Sequence, residues 1–502
     1  MKRTTLSLIA CATALAAVTG FAAVSAPDGS GTDTAAPAAR LPVERTSLLC
    51  PAPSTSDLAE TAYTSFTPVT KGADEKGDAQ LTTAETAADG GKDEKDDKGG
   101  KDDKDEKPVV QPKAPGTPAA GETTGADTPA LIGTAEGGTA PGWTVQQTTE
   151  VAAGTGRGLQ GVNCTAPDTE FWFPGASTAT GRTDYVHLTN PDDSAAVVDI
   201  ELYGKDGALK STVGEGVTVP PHTSESLLLS TLSEVKETDL TVHVGVRSGR
   251  VGAAVQALDD KTGGDWLTAA ADPASELVLP GIPKDATAVR LVLFTPGGTD
   301  ADLKVRLASP SGLITPAGHE TVHVKAGMTT GVDLGEVTRG EAGSLVLTPT
   351  DGAVPVVAAV RVVRGKGDEQ ESAFVPASDP VGARATVADN RAKSTTLALS
   401  APGEAAKVKV TASAGTEGGT PATKTYTIKA GTTQNVDAPV PAGLKGSYAL
   451  TVETVSGGPV HASRILTGSD DDVAAFTVQT LPDDRGMVSV PNADEDLTVL
   501  QK

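Results

Sequence analysis

The sequence predicts an all-β chain of tandem immunoglobulin-like β-sandwich repeats, with a disordered insertion and an N-terminal signal or anchor. Three observations carry this. Segments around Pro191, Pro296 and Pro402 read "LTNPDDSAAVVDIELYGKDG", "LFTPGGTDADLKVRLASPSG" and "LSAPGEAAKVKVTASAGTEG", at spacings of 105 and 106 residues. A second set, "VGAAVQAL", "VAAVRVV" and "VHASRIL", begins at Val251, Val357 and Val460 and repeats at 106 and 103. Within the copies, "VDIELY" and "LKVRLA" alternate apolar with polar residues, the period of a strand with one face in a core. Gly, Pro, Asn and Asp clusters punctuate these runs. A period of about 100 residues exceeds a solenoid unit and fits a small sandwich domain. The later copies lack the Cys and core Trp of antibody-type domains, so the sequence specifies sandwich architecture and not one topology.

Taken from the N-terminus, residues 1–26 read as a signal peptide or an uncleaved anchor. Lys2 and Arg3 precede an uncharged run from Leu6 to Ala26 that ends in small residues. The run is long enough to span a bilayer, at about 20 residues, but its Ala, Ser and Thr content makes it weakly apolar, which favours cleavage. "LIAC", ending at Cys11, is a poor lipoprotein box because the apolar run continues past it.

Residues 42–67 and 129–163 form an N-terminal β-module, from "ERTSLLC", "AYTSFTPV", "GWTVQQTTEV" and "GLQGVNC". Residues 68–128 are expected to be a disordered acidic and Lys-rich linker. Its centre, "GGKDEKDDKGGKDDKDEKP", has no apolar residue to bury, and a Pro-rich spacer follows. The interleaved Lys neutralise much of its field, and no twelve-residue calcium loop is present. The three repeats are placed at 164–272, 273–373 and 374–502. The strands "AAFTVQTL", "GMVSVPN" and "DLTVLQK" are expected to complete the last copy or to donate an edge.

If Cys11 belongs to the signal, Cys50 and Cys164 remain. Two Cys in an exported chain point to one disulfide, with two separate buried thiols as the alternative. Their surroundings, "LLCPAP" and "VNCTAP", are alike. The formal net charge of −24 argues against nucleic-acid binding, which requires basic surfaces, and against docking on anionic lipid by charge.

The one apparent active site is "GHETVHVKAG", in which His319, Glu320 and His323 spell H-E-x-x-H. On a helix the two His share a face and bind zinc, with the Glu as general base. On a strand, positions four apart are about 13 Å apart, too far for one ion, and an adjacent residue points to the other face. The aligned copies "GEGVTVPPH" and "KTYTIKAG" place Val217/Val219, Val322/Val324 and Tyr426/Ile428 in alternating strand positions. The zinc-hydrolase reading is therefore rejected, and no metal or cofactor is expected. "GKDGALKST" has Leu209 where a phosphate-binding loop needs Gly, and reads as a hairpin turn.

The aromatic cluster "EFWFPG" makes Trp172 the best ligand-binding candidate, and Trp266 in "GGDWL" is the second. Alternation puts Phe171 and Phe173 on one face and Trp172 on the other, so at least one face is core. Core or inter-domain packing is the favoured reading for both Trp.

"GVNCTAPDTEFWFPGAST", "LTNPDD" and the Ala/Gly-rich start resemble an uncharacterised family of exported cell-envelope proteins of high-GC Gram-positive bacteria. "VHVKAGMTTGVDL" and "YTIKAGTTQNVDA" are similar to a strand–turn–strand phrase of bacterial surface sandwich domains. The resemblance implies location and fold, and no chemistry. The resulting expectation is an exported, non-enzymatic envelope scaffold or binding protein, its partner a cell-wall polymer or another envelope protein. Membrane contact would come only through the N-terminal segment. The alternative is a wall-glycan binder using exposed Trp172 or Trp266.

Overall fold

The computed structural model describes residues 39–74, 76–86, 107–211, 213–468 and 475–490. The expected signal, the charged centre of the insertion and "DLTVLQK" lie outside them. The chain divides into two compact units, Met1–Leu41 with Ser489–Lys502, and Pro42–Val488. Strands Ala39–Pro42 and Met487–Val490 pair with each other, so "GMVSVPN" does not complete the last repeat. The chain is all-β. Leu229–Leu232 and the 3-10 turn Gly367–Glu369 are the helical segments among the described residues. None of these is long and apolar enough to cross a membrane.

Each repeat folds as two antiparallel sheets over one core. In the first repeat, one sheet runs Glu170–Ala176, Leu240–Ser248, Ala196–Gly204, Gly207–Ala208, with Val217–Val219 also on Ala196–Gly204. The facing sheet runs Thr223–Leu228, Arg182–Thr189, Gly252–Asp259, Gly263–Leu267. The second repeat has the same order: Leu277–Ile282, Gly343–Pro349, Ala301–Ser309, Gly312–Ile314, faced by Thr329–Gly335, Ala288–Phe294, Val357–Arg364, Glu371–Pro376. In the third, Ala385–Asn390, Tyr448–Gly457, Ala406–Gly415, Gly418–Thr420 face Thr432–Val436, Thr395–Ala401, His461–Thr467, Phe476–Thr480. Alternation decides the faces. In Ala301–Ser309, Leu303, Val305 and Leu307 are buried while Asp302, Lys304 and Arg306 are exposed. The first two strands of each copy lie in different sheets, which departs from the antibody constant-type order, where they share one.

The N-terminal module is a fourth sandwich of the same order. Arg45–Cys50, Leu131–Gly137 and Gly77–Thr83 face Ala119–Thr124, Ala59–Phe66, Thr144–Val151 and Gly158–Asn163. This corrects the expected linker at 68–128, because strands Gly77–Thr83 and Ala119–Thr124 fall inside it. The charged insertion enters where the repeats carry their short hairpin strands. Val110 bridges to Leu81, as Val217–Val219 pairs with Ala196–Gly204 in the first repeat. A second boundary also moves: the last strand of the second repeat runs to Pro376, beyond the expected end at 373.

The four sandwiches close into a ring. The closing strand Gly158–Asn163 lies beside Gly263–Leu267, that beside Glu371–Pro376, that beside Phe476–Thr480, and that beside Gly158–Asn163 again. The opening strand of each sandwich docks on the next one: Glu170–Ala176 on the second repeat, Leu277–Ile282 on the third, Ala385–Asn390 on the N-terminal module, and Arg45–Cys50 on the first repeat. The seams are built like cores. Ala359 and Phe374 of the second repeat join the hydrophobic core of the first, and Ile465, Phe476 and Val478 of the third join that of the second.

A bulge shapes the docking strand. Its register shifts between Pro174 and Ala176, between Leu279 and Ile282, and between Val387 and Asn390. The bulged residues Gly175, Gly281 and Asp389 all have positive φ, which glycine adopts without cost. A Cβ on Gly281 would also collide with Ser463 Oγ of the third repeat.

Candidate functional site at the ring axis

The zinc motif lies only partly on a strand, whereas the aligned repeats placed both of its His on one. His323 lies on strand Thr321–Val324, exposed, between buried Val322 and Val324. Its Nδ1 is 2.9 Å from Asp302 Oδ1, and its Nε2 is 3.4 Å from Asp300 Oδ2. His319 precedes the strand in a turn, and Glu320 Oε1 accepts a bond from Gly318 N at 3.0 Å. No group of three or more ligands able to hold a metal ion occurs among the described residues.

The two Trp are buried, at 6 % exposure for Trp172 and 2 % for Trp266. Both therefore pack as the alternation favoured, and neither is exposed as the alternative reading of a sugar-stacking Trp required. The pleat puts Phe171 and Phe173 into the core of the first repeat and turns Trp172 toward the second, against Phe294 and Val357. Trp172 stacks on His243 at 4.0 Å and on Phe294 at 5.5 Å, and its Nε1 donates to Glu170 Oε1. On the same outer face, Glu201 Oε2 lies 2.8 Å from His243 Nδ1 and accepts from Tyr203 OH at 3.0 Å. Trp266 packs with Val162 and Ala254 between the N-terminal module and the first repeat, edge-on to His187.

The groups with the most perturbed chemistry meet where the closing strands converge. Asp265 of the first repeat is fully buried. Its Oδ1 accepts from Gly161 N of the N-terminal module at 3.0 Å and from Thr477 Oγ1 of the third repeat at 3.0 Å. One carboxylate thus touches three sandwiches, including the one diagonally across. Gln479 Nε2 extends the network by donating to Thr477 Oγ1 at 2.7 Å. Glu371 of the second repeat accepts from Phe476 N of the third at 3.3 Å. Arg157 Nη2 of the N-terminal module donates to Lys261 O, Asp368 O and Gln370 O, reaching both the first and second repeats.

Burial sets the protonation here. It pushes Asp265 well above the usual carboxylate range, against the donors from Gly161, Trp266 and Thr477, and nearby Glu371 adds to the rise. Burial raises Glu371 to about 7, opposed by the Phe476 amide, Arg157 and Arg364. Glycine is required beside this network, because a Cβ at Gly161 would strike Thr477 and Gln479. The arrangement can hold protons and lock four modules together. Sequence reasoning missed it because Asp265 and Thr477 are 212 residues apart, and no local motif marks either.

Cys50 and Cys164 form a disulfide across 114 residues, as the cysteine arithmetic expected. It ties the opening strand of the N-terminal module to the residue after its closing strand. A family model described as a family of unknown function, DUF5719, matches residues 119–439. The chain belongs to this family. The DUF5719 match begins at strand Ala119–Thr124 of the N-terminal module and ends just past the corresponding strand Thr432–Val436 of the third repeat. No curated protein was found to match the chain.

Proposed function

We propose that this DUF5719 protein is an exported, non-catalytic cell-envelope scaffold. Its rigid ring would present outward sheet faces to a cell-wall polymer or to another envelope protein. The closed ring is the observation that carries the reading. Four core-like seams and a shared polar hub consume the buried aromatic and acidic groups in assembly. The outer faces, such as Asp302, Lys304 and Arg306, stay polar and solvated. The basic start, the uncharged run to Ala26 and the disulfide support export, since disulfides persist in oxidising compartments. The resemblance to exported envelope proteins of high-GC Gram-positive bacteria supports the proposed cellular address.

The test is made on intact cells of the native host. Maleimide labelling before and after reduction reports the Cys50–Cys164 bond, and surface cross-linking through outer-face Lys304 and Lys409 reports neighbours. The expected result is a chain in which Cys50 and Cys164, exposed by denaturant, label only after reduction, and which cross-links to a wall polymer or a defined envelope protein. A reduced cytosolic chain, or turnover of a wall polymer by the purified protein, would overturn the proposal.

A further inference from the structure

The seam between the N-terminal module and the first repeat holds a small, partly open cavity beside the disulfide. Leu49, Pro51, Val162 and Asn163 line it from one side, and His187, Thr189 and Gly252–Ala254 from the other. Its volume is about 10 Å³, close to the roughly 10–15 Å³ that one water molecule requires. Two polar atoms among its lining residues are buried without a hydrogen-bond partner: His187 Nε2 and Asn163 Oδ1. They belong to different sandwiches. His187 is 6 % exposed, and its other nitrogen, Nδ1, lies 2.9 Å from Ser226 Oγ.

We propose that this cavity is a built site for a single water molecule, which bridges His187 of the first repeat to Asn163 of the N-terminal module. The chemistry of the lining selects this occupant. Leaving both atoms unpaired in a buried seam costs about 1–3 kcal/mol each, so a bridging group is strongly favoured. Asn163 Oδ1 accepts only. His187 Nε2 donates or accepts according to how Ser226 shares its proton with Nδ1. Water serves either tautomer, donating to Asn163 and either donating to or accepting from the imidazole. A metal cation finds no carboxylate in the lining, and ammonium has no acceptor for an Nε2–H. Burial holds His187 down to about 4, so the ring is neutral near pH 7 and the site needs no counter-charge. Thr165 and Thr189 also line the cavity and supply hydroxyls for the remaining bonds. Leu49 and Val162 flank it with apolar side chains that exclude a larger polar guest.

A crystal structure of the full chain, from crystals grown with and without sodium and ammonium salts, tests this directly. The expected result is one density peak within hydrogen-bond distance of both His187 Nε2 and Asn163 Oδ1, at full occupancy in every salt. Nuclear Overhauser contacts from water to the amides of Ala253 and Ala254 check the same occupant in solution. Asn163→Leu and His187→Phe should each abolish the peak and those contacts while the ring remains closed. An unoccupied cavity, a peak that follows the salt, or a peak retained in both variants would overturn the proposal. If His187→Phe fails to fold, the Asn163→Leu result decides.

Discussion

Two seams of the ring carry the same backbone docking with different side chains. Between the first and second repeats, Trp172, Tyr203 and Phe294 stack, and Arg290 pairs with Asp239 through three hydrogen bonds. Between the third repeat and the N-terminal module, one aromatic, Phe66, packs on Ala388 and Ala449, and guanidinium groups supply the ion pairs. Arg391 pairs with Glu150 at 2.9 Å. Arg384, held by Asp484, donates to Thr70 Oγ1 and Pro141 O across the seam. The first seam joins neighbours in the chain, so its cost of association is small. The second joins segments more than 240 residues apart and closes the ring without a tether. Directional bonds fit that task, because they fix register where chain connectivity does not.

The largest test of this contrast removes the disulfide. Cys50→Ser with Cys164→Ser should lower stability by about 4–5 kcal/mol in the chain-entropy model. The loss should concentrate at the two seams the N-terminal module makes. Hydrogen exchange should show Thr144–Val151 losing protection before the aromatic seam does.

Arg384→Leu leaves Asp484 buried and unpaired, at a cost of about 3–5 kcal/mol. Trp172→Ala removes comparable packing, about 3–5 kcal/mol. The two should differ in kind. Arg384→Leu should open the ring, seen as a larger hydrodynamic radius before global unfolding. Trp172→Ala should lower the melting temperature with the radius unchanged. Equal radii in both variants would erase the distinction between the seams.

The axis, common to all seams, should respond to pH. Glu371 is raised from 4.5 to about 7 in the folded state, so the folded form binds more protons than the unfolded one between these values. Its contribution is therefore fully present below about 4.5 and is lost as pH rises through about 7, up to about 3 kcal/mol in all. Asp265 acts in the same direction. Denaturant titrations across this window should show the decline, and Glu371→Gln should flatten it.

The smallest effect is expected far from any seam. His319→Ala and His323→Ala should each shift stability by less than about 0.5 kcal/mol and leave zinc content unchanged by metal analysis.

Much of the fold was legible because it is written in local patterns. The alternation in "LKVRLA" put Leu303, Val305 and Leu307 inward, and the aligned Val322 and Val324 placed His323 on an outer strand face. The alternation in "EFWFPG" separated Trp172 from its Phe neighbours. The fourth sandwich was harder to see. Its strands Gly77–Thr83 and Ala119–Thr124 are separated by the charged insertion, and both are rich in Thr, Gly and Ala with little apolar signal. The partners of Trp266 and the hub at Asp265 were not legible, because they come from other modules.

The sequence by itself determined the strands, the repeat period and the pairing of Cys50 with Cys164, since each depends on residues close in the chain or few in number. Only the tertiary structure decided that the four sandwiches close on themselves. Closure depends on the match between surfaces contributed by distant segments, where Gly281 admits Ser463 and Asp265 meets Thr477 across the axis. Such complementarity exists only once every module is folded.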